Sequence, residues 1–158
     1  MTEGEFRAGK VPWPPLVYLV ALLVGIALDV AYPLPWFSDV LADLLFAIGW
    51  IAVLAVVALW VTTIRAMTKA RTTLNPNGTP DKLLTDGPFA VSRNPIYLAN
   101  TILLIAIGLI TGSPWFLIMA LLAALATRKL AIEREEKILA RKFGKKYRDY
   151  AKRVRRWI

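Results

Sequence analysis

The chain has no cysteine and no histidine. The first absence removes disulfide frameworks, thiol nucleophiles and Cys-ligated zinc or iron–sulfur sites. The second removes Ser-His-Asp triads and the HExxH metalloenzymes. Acid–base or binding chemistry must therefore use carboxylates, Tyr, Lys, Arg, Asn, Ser/Thr or backbone, and no metal site is expected. Charge is also missing from three long runs: Val11–Leu28 with 18 residues, Leu44–Ile64 with 21 and Ile96–Thr127 with 32. A helix needs ~20 residues to cross ~30 Å of hydrocarbon. The first two runs each supply one span. The third would be about 48 Å long as one helix, and Gly112-Ser113-Pro114 interrupts it with a turn signal and a proline suited to opening a new helix. It reads as a hairpin, Ile96–Thr111 and then Pro114 to about Ile132, with Arg128 and Lys129 snorkelling to the interface.

What is present agrees with this. Hydrophobic residues make up 57% of the 158 residues, above the ~45–50% of soluble domains. That excludes disorder and makes a soluble bundle a poor fit, because Leu44–Ile64 has no polar face. The expected fold is all-α: one polytopic membrane domain over residues 1–158. Its spans lie near 12–31, 41–64, 95–111 and 114–132, and a cytoplasmic basic amphipathic helix comes after them over 133–158. No small-residue cleavage site follows the first apolar run, so it reads as a span and not as a cleaved signal peptide.

Basic residues are absent between the first two spans, where Asp29, Asp39 and Asp43 lie, and in the hairpin turn. All 20 lie before the first span, between the second and third, or from Arg128 onward. The positive-inside rule then puts both termini and the middle segment in the cytoplasm, in the inner membrane if the cell is prokaryotic. From Arg128 to Ile158 there are 13 basic and 4 acidic residues. Directly after a span, such a tail is expected to meet anionic lipid headgroups and not nucleic acid. Ile132, Leu139, Phe143, Tyr147, Tyr150, Val154 and Trp157 form one apolar stripe at helical spacing, which suits a helix at the interface. Gly144 is expected to divide it.

The polar segment Arg65–Pro95 is where chemistry can sit. Asn75-Pro76-Asn77-Gly78-Thr79-Pro80 is a turn cluster. Arg93 stands where the chain re-enters the membrane, and Pro95 keeps Asn94 out of the helix while suiting the first turn of the third span. An arginine beside a helix N-terminus suits a carboxylate or phosphate, although on this residue alone an interfacial arginine on a lipid phosphate is the stronger reading. Glu133, Glu135 and Glu136 come just after the fourth span. The hairpin should bring Arg93, Asn94, Tyr97, Arg128, Glu135 and Glu136 to one mouth, where they would fit a zwitterionic cofactor. Asn100 and Thr101 lie within the third span. Such groups usually bond between helices, but Asn100 is one turn from Tyr97 and can line the same pocket.

Gly87-Pro88-Phe89-x-x-Ser92-Arg93-Asn94-Pro95-Ile96-Tyr97, a helical hairpin, Glu135-Glu136, and then Phe143-Gly144-x-x-Tyr147-x-x-Tyr150 together resemble the isoprenylcysteine carboxyl methyltransferase / phospholipid methyltransferase superfamily. The resemblance covers about the second half of the chain; the first two spans match only as generic membrane helices. It implies an integral-membrane, S-adenosylmethionine-dependent methyltransferase acting on a lipidic or small membrane-soluble acceptor, such as an isoprenylcysteine carboxylate or a phospholipid amine. It also implies a cofactor site lined by Pro88, Arg93, Asn94, Tyr97, Asn100, Arg128, Glu135 and Glu136, with Arg93, Asn94 and Glu135 as catalytic candidates. The family's Arg-His-Pro-x-Tyr box reads Arg93-Asn94-Pro95-Ile96-Tyr97 here. Asn94 still donates and accepts hydrogen bonds, but it cannot transfer a proton as an imidazole would. Ala99 replaces a frequent glycine. Two rival readings are an NADPH-dependent membrane lipid or sterol reductase and a non-enzymatic lipid-binding scaffold. The two spans without a ligand role could form a homodimer face.

Overall fold

A computed structural model describes residues 13–70 and 82–158. The turn cluster Asn75–Pro80, with Arg7 and Lys10 before the first span, lies outside the described residues. Six helices carry the fold: α1 Trp13–Ala31, α2 Asp39–Lys69, α3 Pro88–Val91, α4 Pro95–Thr111, α5 Pro114–Thr127 and α6 Glu133–Arg153. A π-helical turn, Arg128–Ile132, joins α5 to α6 without a break. The described residues form no β-strand.

Three helices begin at prolines, and one ends at a glycine. Pro88, Pro95 and Pro114 each stand in a first turn, where a missing N–H costs nothing and φ is already set. Gly112 closes α4 in the left-handed conformation, φ 67°, and its N–H bonds the Gly108 carbonyl; this end-cap favours glycine. The expected hairpin is thus formed by α4 and α5. The second span is longer than its charge-free run. The 31 residues of α2 measure about 46 Å, so this helix exceeds a hydrocarbon core and carries Arg65 and Lys69 beyond it.

The helices pack in the order α2, α4, α5, α1. Small residues set the closest approaches, as in membrane bundles generally. A Cβ on Gly49 would lie 2.6 Å from Ile110 Cγ1 and 3.1 Å from the Ala106 carbonyl, across α2 and α4. One on Gly108 would meet Leu117, Phe116 and the Ser113 carbonyl across the hairpin, and one on Gly25 would meet the Phe116 ring. Tyr18, Ala21, Leu104, Phe116, Met119, Ala120 and Ala123 form the core between α1, α4 and α5. Leucine, valine and isoleucine stay exposed along both α1 and α2, with Val40 81% and Leu54 70% accessible. Such faces suit an apolar surrounding such as lipid. α1, α2 and the helix running from Pro114 are each long and apolar enough to cross a membrane, and α4 is a shorter apolar helix.

Two features of the C-terminal part differ from the sequence expectation. The basic helix does not run to Ile158: α6 ends at Arg153, and Val154 begins an extended segment. The apolar stripe does not serve the interface alone either, since Tyr147 and Tyr150 are buried in the protein's own body. Gly144, at φ 52° and ψ −122°, kinks α6 as expected, and that kink is what turns the second half back onto the bundle.

Candidate functional site

The site forms where α4 begins and the hairpin's second arm passes into α6. On α5 the buried positions Ala120, Ala123 and Thr127 mark the inward face. Regular helical spacing from Thr127 would bring Ala131 and then Arg134 to that face. The π turn inserts a residue in the register, which rotates the start of α6 by about 100°. Ile132 becomes fully buried, Arg134 is exposed, and Glu135 and Glu136 face the start of α4.

On the opposite side, Ser92 is extended and buried between the single turn of α3 and Pro95. Its hydroxyl accepts the Asn94 backbone N–H at 3.1 Å. This fixes the Arg93 side chain inward. Arg93 Nη1 donates to the Tyr147 hydroxyl at 3.0 Å and pairs with Glu136 Oε1 at 3.1 Å. Its Nε is buried without a partner. Asn94 Nδ2 donates to the Arg156 carbonyl at 2.9 Å. The Tyr97 hydroxyl donates to Glu135 Oε1 at 2.5 Å. Tyr18 of α1 donates to the Tyr97 carbonyl at 3.1 Å and shares a 2.7 Å hydrogen bond with the Thr101 hydroxyl, which anchors that turn of α4.

The two neighbouring glutamates have unlike surroundings. Glu136 receives Arg93 and a two-point fork from Arg156, with Nε to Oε1 at 2.8 Å and Nη2 to Oε2 at 2.6 Å. Among the described residues no basic side chain lies within ion-pair distance of Glu135. Burial pushes its carboxyl above the ordinary carboxylate range; the Tyr97 hydrogen bond opposes this, and the Glu136 charge adds to it. Burial likewise raises the Tyr147 hydroxyl, and takes that of Tyr150 to about 12 against the opposing pull of Arg93. The Tyr150 hydroxyl donates to the Phe89 carbonyl at 2.6 Å, which ties α6 to α3.

Arg93, Asn94, Tyr97, Glu135 and Glu136 therefore come together as the sequence led us to expect. Arg128 does not join them. It is half exposed and pairs with Glu133 at 3.5 Å, beside Lys129 at 3.2 Å, and the Lys129 bond holds the Glu133 carboxyl below its ordinary value. Asn100 faces α2, where Trp60 Nε1 donates to its Oδ1 at 3.1 Å; this is the helix–helix bond that polar groups in spans usually make. Pro88 opens α3, and its carbonyl accepts the Ser92 N–H at 3.2 Å. Tyr147, Tyr150, Arg155 and Arg156 were missed as site residues. The two tyrosines were visible as part of a stripe that reads as interfacial, and the arginines were indistinguishable from eleven other basic residues of the tail.

These groups suit a zwitterionic ligand that carries a further positive charge. An arginine with an unpartnered buried Nε suits a carboxylate, and a buried acid without a cation suits positive charge. The model of the family described as phospholipid methyltransferase matches residues 42–146. No curated protein matches the chain.

Proposed function

Because the chain belongs to the phospholipid methyltransferase family, we propose that it transfers the methyl group of S-adenosylmethionine to a lipid amine at the membrane interface. The observation that carries this reading is one buried site that holds an arginine with a spare donor, Arg93 Nε, beside a carboxyl group that no described cation pairs, Glu135. Arg93 would hold the donor's carboxylate, and Glu135 would offer a carboxylate to its positive charge. Tyr97 holds Glu135 by its hydroxyl. Asn94 positions the Arg93 turn through Arg156 and moves no proton.

Bound, S-adenosylmethionine supplies an electrophilic methyl on a good leaving group. The protein's task is then alignment, which contributes up to ~7–11 kcal/mol in well-oriented systems. A carboxylate acceptor would need no base, whereas an amine must shed a proton, and Glu135, once ionised, is the carboxylate placed to receive it. The acceptor enters from lipid between the spans. We further propose that residues 1–158 act as one domain, with both termini and this site on the cytoplasmic side, where the basic tail meets anionic lipid.

The test uses purified protein in vesicles containing phosphatidylethanolamine, with methyl-labelled S-adenosylmethionine. Label should enter the lipid extract, and Arg93→Ala and Glu135→Ala should abolish both transfer and donor binding while helix content is unchanged. Unaltered calorimetric affinity in both variants, or saturable binding of NADPH in place of the methyl donor, would refute the assignment.

A further inference from the structure

The matched family segment ends at residue 146, yet four of the bonds that shape the site come from the last few residues of the chain. The Arg155 carbonyl accepts the Arg93 N–H at 3.1 Å. The Arg156 carbonyl accepts Asn94 Nδ2 at 2.9 Å and the Ser92 hydroxyl at 3.3 Å. The fourth is the fork from the Arg156 side chain to Glu136. The three backbone contacts alone would dock the segment. The fork adds a second cation to a carboxylate that Arg93 already touches.

Charge balance gives that fork a purpose. Glu136 carries one negative charge and faces two arginines, whose side chains are only 14% and 27% exposed for Arg93 and Arg156. The shorter, two-point contact belongs to Arg156, and Arg93 makes a single 3.1 Å contact from Nη1. The surplus positive charge therefore resides on Arg93, beside its unpartnered Nε. Without Arg156, Glu136 and Arg93 would form a neutral pair with little attraction left for an anion.

Building on the methyl-donor reading above, we propose that Arg156 is a positioning residue: it neutralises Glu136 and so leaves Arg93 free to bind the anionic end of the donor. The extended C-terminal segment is then part of the site and not a membrane anchor.

The experiment measures equilibrium binding of labelled S-adenosylmethionine to the full chain in detergent, for the wild type, Arg156→Ala, Glu136→Gln and the double variant. Arg156→Ala should weaken binding about tenfold, and in the Glu136→Gln background the same change should cost less than about threefold. Added guanidinium should restore binding to Arg156→Ala and leave the double variant unaffected. Equal losses in both backgrounds without rescue would make Arg156 a mere strap and overturn the proposal; so would no loss in either. A wild type that does not bind the donor would overturn the methyltransferase reading and this inference together. A wild type that binds it, with Arg156→Ala unaffected, would overturn this inference alone.

Discussion

Glu135 and Glu136 are adjacent in sequence, and only one is compensated. Glu136 has two guanidinium partners; Glu135 has a tyrosine hydroxyl and burial. Burial raises the Glu135 carboxyl above its ordinary value, so the fold favours its neutral form. Linkage fixes the sign. This contribution to stability is fully present below the ordinary carboxylate range and is lost as pH rises through the folded-state value. Glutamine mimics the neutral acid at every pH. Glu135→Gln should therefore match the wild type in thermal stability at and below about pH 4, under the ordinary value, and exceed it increasingly as pH rises toward neutral when no ligand is present. A cationic ligand reverses the preference, because it needs the carboxylate. Wild-type donor affinity should rise with pH as Glu135 loses its proton, and the variant should show no such rise. Melting curves and binding isotherms across pH check both halves. A stability difference that is constant with pH would mean that Glu135 is already ionised in the ligand-free fold.

At the scale of the element, the long helix from Pro114 to Arg153 does its work through two irregularities, the π turn and Gly144. The first rotates the two glutamates inward; the second folds the tyrosines and the C-terminal segment back over Arg93. Their legibility in sequence differs for a physical reason. Gly144 interrupts a charged helix and reads as a break. The π turn lies within Arg128-Lys129-Leu130-Ala131-Ile132, which contains neither glycine nor proline and has no local signature, because it is set by packing against α1 and α5. The helix bounds near Pro95, Thr111 and Pro114 were legible because proline and glycine act on φ directly. The fold-back of Tyr147 and Tyr150 was not, since a stripe of one apolar face looks the same whether lipid or protein covers it. Gly144→Ala tests the kink. A Cβ there would meet nothing within 4 Å, so no clash complicates the outcome. The cost is the backbone conformation alone, about 1–3 kcal/mol for a non-glycine residue in such a region. Relief by straightening α6 would lift the C-terminal segment off Arg93. Amide exchange at Arg93, protected in the wild type by its bond to the Arg155 carbonyl, should accelerate, and donor binding should fall with it. Loss of global stability without local acceleration would show that the kink does not govern docking.

For the whole molecule, the architecture was legible in where charge is missing, and the proposed orientation rests on where positive charge is missing. Four apolar helices leave two kinds of end. At one lie the segment between α1 and α2 and the α4–α5 turn; here Trp115 Nε1 donates to the Tyr32 carbonyl at 2.7 Å, joining the two, and Trp36 packs over Gly112. This aromatic, cation-free end suits the interface opposite the site. At the other end lie Arg65, Lys69, Arg93 and the whole basic tail. Anionic lipid and the translocation bias against lysine and arginine are the grounds for proposing that this second end faces the cytoplasm. The absence of native cysteine makes the matter directly measurable, since any introduced thiol is unique. Leu34→Cys sits in the segment between α1 and α2, Asp86→Cys just before α3, and Lys152→Cys near the end of α6, all at exposed positions. In sealed right-side-out vesicles a membrane-impermeant maleimide should label Leu34→Cys at once. Asp86→Cys and Lys152→Cys should react only after the bilayer is opened with detergent, and they should do so together, because the contact of Tyr150 with Phe89 ties α6 to α3 and holds both ends of the site in one compartment. Labelling of Asp86→Cys from outside, with Leu34→Cys protected, would invert the molecule and move the methyl donor's site to the far side of the membrane. Opposite behaviour of Asp86→Cys and Lys152→Cys would contradict the fold itself.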